Sequence, residues 1–185
     1  MIDVRPSPIA GQWYEGDPTA LAQIVDEYLN AATLPKLDGE VMGVIAPHAG
    51  HMYSGAVAGH AFAAHRGSRP DIVAVLGPMH RPFDEPLLTT THAAYFTPLG
   101  SVPVDKAALK DLDVILKSEL GYGMTPIARD PEHSLQIELP FLQRVFQHEW
   151  KLLPIMVRAL DERVSEGVGK ALATVLRDKN AVLVA

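Results

Sequence analysis

The sequence contains no cysteine. Disulfides, thiolate metal sites and cysteine nucleophiles are therefore excluded within these 185 residues. No cluster of five or more Lys and Arg residues occurs, and the formal net charge is −6, so nucleic acid is not expected as a partner. No apolar run approaches the roughly eighteen residues of a membrane helix, and the first residues lack the basic and apolar regions of a signal peptide. We therefore predict a cytoplasmic protein that does not enter a membrane.

Several familiar catalytic and nucleotide-binding motifs are also missing. The sequence contains no G-x-x-x-x-G-K-[ST], no G-x-G-x-x-G, no H-E-x-x-H and no G-x-S-x-G. Nucleotide binding, zincin chemistry and α/β-hydrolase chemistry therefore lose their usual sequence support.

The composition is that of an ordinary globular domain, with 48% hydrophobic and 21% charged residues. Short apolar runs predict strands at residues 41–46, 71–76, 87–90, 151–157 and 181–185. Helical spacing or small-residue composition predicts helices at residues 17–32, 54–65, 105–117, 132–146 and from 161 onward. Strands that alternate with helices indicate an α/β fold with a mostly parallel sheet and helices on both faces.

Two local features of the chain are predicted in more detail. The Pro-rich stretch 95–103 is expected to be a loop. Asp130 and Pro131 are expected to cap and begin the helix 132–146, with a kink or a break at Pro140.

Histidines follow two of the predicted buried strands. His48 comes after strand 41–46 and His80 comes after strand 71–76. If these strands are neighbours joined by a right-handed crossover, both side chains lie at one edge of the sheet, within reach of one metal ion. Imidazole nitrogens suit Fe, Zn or Cu, and Gly50 would let the backbone pass close to a ligand. With eight histidines in the chain, a chance placement of these two is the alternative.

A carboxylate and an imidazole are adjacent at Glu132 and His133. They could act as general acid and base, or as residues that orient the ligands of a metal. In the alternative interpretation, Glu132 complements the helix dipole and His133 packs against a loop.

Aromatic residues accompany these segments at Trp13, Tyr14 and Tyr53. Such residues close a core or form the wall of a pocket. His51 is a weaker candidate than His48 and His80. Four other histidines are not predicted to act in a site: His60 and His65, which are expected to lie at the surface or in the packing of the helix 54–65, and His92 and His148, which have no neighbouring motif.

Taken together, the motifs resemble those of the Memo family, also called AmmeMemoRadiSam system protein B. The resemblance runs from about Arg5 to the last residue and rests on segments in the family's order: A-G-Q-W-Y at 10–14, I-A-P-H-A-G at 45–50, Y-S-G at 53–55, L-G-P-M-H at 76–80 and E-H-S at 132–134. It implies an α/β fold similar to that of the class III extradiol dioxygenases.

The resemblance also implies a metal pocket at the strand ends. His48 and His80 match the two histidine ligands of the family, and His133 matches a histidine that lines the pocket. A downstream cysteine ligand and a Ser-Ser-Asp-x-x-His motif are absent from residues 1–185. We therefore expect a single Memo-like domain, truncated at its C-terminal end, that is found with the remaining sequence or in an oligomer that covers its sheet.

Two functions from different classes follow from these observations. The first is a metal-dependent, dioxygenase-like oxidoreductase that acts on a small molecule, with iron or copper, or alternatively zinc, held by His48 and His80. Glu132 and His133 would be catalytic, and Trp13, Tyr14, Gly50 and Tyr53 would bind substrate. The second is a peptide- or protein-binding module that uses the same cleft without turnover. The resemblance further implies a functional link to AMMECR1-like and radical-SAM proteins.

Overall fold

The computed structural model describes residues 3–158 and 161–185. Within them the helices are α1 (Pro18–Ala31), α2 (His51–Ala63), α3 (Lys106–Leu120), α4 (Leu139–Val145) and α5 (Glu162–Leu176). The strands there are β1 (Val4–Arg5), β2 (Gly43–Val44), β3 (Ile72–Pro78), β4 (Leu87–Thr90), β5 (Ala94–Thr97), β6 (Gly100–Pro103), β7 (Thr125–Ile127), β8 (Lys151–Val157) and β9 (Ala181–Val184).

The larger sheet has the strand order β2-β9-β3-β8-β4-β7. All of its pairings are parallel except β4 with β8. Helices α1, α2 and α4 pack together, and α3 packs with α5. The predicted α/β fold with a mostly parallel sheet between helices is therefore confirmed.

The centre of this sheet follows directly from its sequence. β3 and β8 pair along their whole lengths, from Ile72 opposite Lys151 to Pro78 opposite Val157. Their apolar side chains are almost all buried, as expected of strands covered on both faces. Burying one such side chain contributes about 1.5–3 kcal/mol, so these strands anchor the core from which the site residues project.

Aspartates begin three of the helices. The side chains of Asp17, Asp105 and Asp161 accept hydrogen bonds from backbone N–H groups in the first turns of α1, α3 and α5. The prediction of Asp17 as a cap with Pro18 at the first helical position is confirmed.

The prediction of a loop at 95–103 is wrong. This stretch forms most of the antiparallel hairpin β5–β6, which joins β1 in a second sheet of order β1-β5-β6. Gly100 has a φ of 120° next to the turn, and Tyr95 and Val102 are buried. The glycine permits the turn and the apolar burial stabilises the hairpin despite its prolines.

The prediction of one helix over 132–146 is also wrong. Residues 131–138 are irregular, and only α4 is helical. Pro140 lies in the first turn of α4, where its missing N–H costs nothing, so the helix begins there. Asp130 does not cap a helix but accepts hydrogen bonds from Arg5 and from the backbone N–H of Glu132.

The strand order corrects a further assumption. β2 and β3 are not neighbours, because β9 lies between them. The predicted strand 41–46 is shortened to Gly43–Val44, and α2 begins at His51 rather than at residue 54. None of the helices in the described ranges combines the length and hydropathy needed to cross a membrane.

Candidate functional site

Three imidazole rings lie together at the carboxyl ends of β2 and β3. His48 follows β2, His80 follows β3, and their ring centres are 5.4 Å apart. His133 lies in the irregular segment before α4, with its ring centre 4.6 Å from that of His80 and 6.1 Å from that of His48. The strand ends therefore bring His48 and His80 close, even though a strand lies between β2 and β3.

The Glu132 carboxylate fixes His80 in place. One carboxylate oxygen accepts a hydrogen bond of 2.8 Å from Nδ1 of His80, and the other accepts one of 2.6 Å from the backbone N–H of the same residue. Because an ionised carboxylate only accepts, Nδ1 of His80 carries a proton, and in the neutral imidazole Nε2 is then the nitrogen with the free lone pair. A histidine oriented by a carboxylate in this way is typical of metal ligands.

The same carboxylate also organises the segment that carries His133. Oε1 of Glu132 accepts hydrogen bonds from the backbone N–H groups of His133 at 2.8 Å and Ser134 at 2.9 Å. Nδ1 of His133 lies 3.2 Å from the same oxygen. The interpretation of Glu132 as a residue that complements a helix dipole is wrong, because residues 131–138 are irregular.

The charges of the site follow from burial and these hydrogen bonds. Burial raises the pKa of Glu132, but the hydrogen bonds from His80, Ser134 and His133 outweigh it and lower that pKa to about 2. Burial and the neighbouring His80 lower the pKa of His48. Burial also lowers the pKa of His133. The Glu132 carboxylate raises that pKa, whereas the charges of His80, His48 and Arg81 lower it further. The site thus combines an ionised carboxylate with the imidazoles of His48 and His133, for which burial favours the neutral form.

Nitrogen and oxygen atoms of His80, Glu132 and His133 lie within 4.8 Å of one another and form a possible metal-binding group. Both oxygens of Glu132 are already hydrogen-bonded. Its carboxylate therefore acts better as the partner that orients His80 than as a ligand.

Arg5 supports this arrangement from β1. The guanidinium is buried and donates to a side-chain oxygen of Asp130 at 2.9 Å, to its carbonyl at 2.9 Å, and to the carbonyl of Glu132 at 2.6 Å. It also donates to the side-chain oxygen of Gln136 at 2.7 Å and stacks over the ring of Tyr95. Sequence reasoning missed Arg5, because its hydrogen-bond partners are more than 120 residues away and leave no local pattern.

A cleft of about 520 Å³ opens beside His80 and His133, and His48 is not part of its lining. Its lining is mixed in chemistry and comprises Pro8, Ile9, Trp13, His80, Arg81, Pro131, Glu132 and His133. The indole of Trp13 is 38% exposed, and its centre lies 4.2 Å from the ring centre of His133. Trp13 therefore forms a wall of the cleft, as one of the two interpretations expected.

The other residues expected to bind substrate lie outside this lining. Tyr14 is buried, and its hydroxyl is hydrogen-bonded to Ser7 at 2.7 Å and Gln136 at 3.0 Å, so it belongs to the core. Gly50 precedes α2, where a Cβ would come within 3.3 Å of the carbonyl oxygen of Trp13. Tyr53 is 80% exposed on the first turn of α2.

The sequence of this chain is similar to those of a known protein family. The family model described as "Memo-like protein" matches residues 5–185. A MEMO1 family protein of Nitrosopumilus maritimus is 31% identical over 186 residues, which cover 98% of this chain and 66% of the relative. Others from Methanopyrus kandleri and Methanosarcina mazei are 34% and 32% identical, with 98% and 100% of this chain and 66% of each relative covered. The chain spans about two thirds of the length of these relatives. The match over nearly all of its residues shows that the chain belongs to the Memo family.

Proposed function

We propose that this protein is a metal-dependent oxidoreductase acting on a small molecule, with an iron or copper ion held by His48 and His80. The observation that carries the proposal is the grouping of the His48, His80 and His133 rings, whose centres lie 4.6–6.1 Å apart, with Glu132 bound to Nδ1 of His80. A carboxylate that fixes the tautomer of an imidazole leaves its other nitrogen directed to a ligand position.

The donor set fits a transition-metal ion. A ligating imidazole nitrogen lies about 2.0–2.1 Å from a metal, so the ring centres of two imidazoles on one ion are about 4.5–5.5 Å apart. The ring centres of His48 and His80, at 5.4 Å, fall in this range. Imidazole suits iron and copper and also zinc, and a bound iron or copper ion would supply one-electron redox chemistry.

His133 is placed to move protons next to that position. Its ring stacks on His80 at an interplanar angle of 19° and contacts Trp13 on the cleft wall. With Nδ1 close to the Glu132 carboxylate, Nε2 is the nitrogen available to accept a substrate proton. Glu132 holds both histidines in position through its hydrogen bonds rather than by exchanging its own proton.

Metal analysis after anaerobic purification tests the proposal. The chain and a full-length relative should each bind about one equivalent of iron or copper, and His48→Ala and His80→Ala should abolish binding. His60→Ala is the matched control, because His60 is exposed on α2 and its Nδ1 bonds only to its own helix. Equal metal content in the wild type, His48→Ala and His80→Ala would refute the proposal.

A binding module is the second candidate, and the surface beside the cleft favours it. Met52 and Tyr53 on the first turn of α2 are 78% and 80% exposed, which is unusual for large apolar side chains. A peptide that contacts this turn would bind without metal. Retention of peptide binding in His48→Ala, together with no metal in the wild type, would favour this candidate.

The cytoplasmic location and the functional link to AMMECR1-like and radical-SAM proteins belong to the same proposal. The functional link rests on membership of the family alone. Co-purification of the tagged protein with either partner tests the link.

A further inference from the structure

Arg81 gives the cleft a positive charge that the histidine site does not use. It directly follows His80, is exposed, and lines the cleft together with His80 and His133. It forms no ion pair within residues 3–158 and 161–185. Its guanidinium is therefore available to a ligand.

The negative charges near the cleft are already engaged or lie outside it. Glu132 is the acidic residue of the lining, and its two oxygens accept hydrogen bonds from His80, His133 and Ser134. Asp84 and Glu85 follow in the same loop, but neither lines the cleft. A guanidinium without an ion-pair partner, beside a carboxylate whose oxygens are already hydrogen-bonded, favours an anion, and its planar fork matches a carboxylate group.

The other side chains of the cleft favour a ligand whose anionic group is attached to a flat apolar part. Trp13 presents a partly exposed indole, and Pro8, Ile9 and Pro131 add apolar surface. Aromatic rings stack on such indoles in offset or tilted geometry. The volume of about 520 Å³ is in the range of small-molecule sites.

We propose that Arg81 binds the anionic group of the substrate, and that the substrate is a small organic anion with a flat apolar body, such as an aromatic carboxylate. This inference rests on the proposed function, because the anion bound at Arg81 would lie against His80 and His133. It makes Arg81 a specificity-determining residue and Trp13 the surface on which the body of the substrate stacks.

Benzoate is the test ligand, measured by isothermal titration against its neutral isostere benzamide and against acetate, which lacks the flat body. Benzoate should bind more tightly than either. Arg81→Gln should weaken benzoate binding about 10- to 100-fold, as expected for the loss of a charge-assisted pair. Arg69→Gln is the matched control, because Arg69 is exposed and lies outside the cleft.

The position of the ligand is read from the two tryptophans of the chain. Benzoate should shift the indole N–H signal of Trp13 in NMR spectra and leave that of Trp150, which is not in the cleft lining, unchanged. The signals are assigned with Trp13→Phe. If Arg81→Gln does not fold, Arg81→Lys should fold and bind benzoate with intermediate affinity, because it keeps the charge but not the fork.

Repeating the titrations after metal removal separates this inference from the proposed function. If the wild type holds no metal but binds benzoate, and Arg81→Gln does not bind it, the role of Arg81 in anion binding is supported and the metal proposal is contradicted. Equal benzoate affinities of the wild type and Arg81→Gln, an equal loss in Arg69→Gln, or equal affinities for benzoate and benzamide would overturn the inference whatever the metal content.

Discussion

Each oxygen of Glu132 accepts hydrogen bonds that an amide could not reproduce, because one of them would become an NH2 donor facing N–H groups. Glu132→Gln should therefore loosen His80 and lower metal affinity about 10- to 100-fold. The affinity is measured by competition with a chelator of known strength. Glu119→Gln on the exposed face of α3 is the control, and an unchanged affinity in Glu132→Gln would show that His80 does not need its carboxylate partner.

Glu138, which carries a carboxyl group, is 4% exposed. Burial raises its pKa to about 8. The folded state thus favours the protonated form, whose stabilising effect is full below the ordinary pKa of 4.5 and is lost as the pH rises toward 8.

Glu138→Gln should remove this pH dependence and raise the free energy of unfolding at pH 8 by on the order of 1–4 kcal/mol. Denaturant unfolding at a series of pH values between 5 and 8 measures the free energy of unfolding as a function of pH. Glu119→Gln, the control, should show the same slope of this free energy against pH as the wild type. A slope that is the same in the wild type and Glu138→Gln would contradict the assignment.

Individual site residues were predictable from sequence where their neighbours in the chain mark them. His48 and His80 were identified because they directly follow apolar runs, and Glu132 and His133 because a carboxylate and an imidazole are adjacent. Arg5 was not, because its partners are remote in sequence. Tyr14 could not be separated from Trp13 by sequence, since only the tertiary fold buries one ring and exposes the other.

At the scale of elements, β3 and the segment around Ser134 touch at Gly77. A Cβ on Gly77 would lie 2.5 Å from Oγ of Ser134 and 2.9 Å from its Cβ, while that hydroxyl donates to the carbonyl of Pro78. Gly77→Ala should therefore push the segment away from the strand, destabilise the fold by about 1–3 kcal/mol, and weaken metal binding.

Gly169 on the exposed face of α5 is the matched control, because a Cβ there would meet nothing within 4 Å. Gly169→Ala should stabilise the protein by up to about 1 kcal/mol, since alanine favours a helix. Thermal and denaturant unfolding measure both variants. A Gly77→Ala protein as stable as Gly169→Ala would mean that the contact with Ser134 does not constrain the site.

Helices and strands were predictable from sequence where a helix-capping residue or a run of apolar residues marks them. Helices α1, α3 and α5 have aspartate caps and apolar stripes, and β4 and β8 were predicted with the bounds that are observed. The hairpin β5–β6 and the strand β7 were missed, because both contain or border prolines and depend on pairing partners that local sequence does not reveal. The segment 131–138 was mistaken for helix because Asp130 and Pro131 imitate a helix start.

At the scale of the whole molecule, the β2 edge of the larger sheet exposes apolar side chains. Ile45 is 86% exposed, Met42 63% and Leu183 38%. Exposed sheet edges with apolar side chains favour association. We therefore predict that a second copy of the chain covers this edge of the sheet.

Sedimentation velocity tests the oligomer form of that prediction. The 185-residue chain should associate in a concentration-dependent way, and Ile45→Lys should shift it toward monomer. Val114→Lys is the control, because Val114 is 59% exposed on α3, away from this edge. A wild-type chain that stays monomeric at high concentration would contradict the prediction.

If His48 and His80 bind one metal ion, both imidazoles can be counted as ligands of that ion. Electron paramagnetic resonance of the Cu(II)-loaded protein resolves nitrogen couplings from coordinated histidines. Couplings from both His48 and His80 are expected in the wild type and in His60→Ala, and one coupled imidazole fewer in His48→Ala and in His80→Ala. Identical nitrogen couplings in all four proteins would contradict binding by His48 and His80.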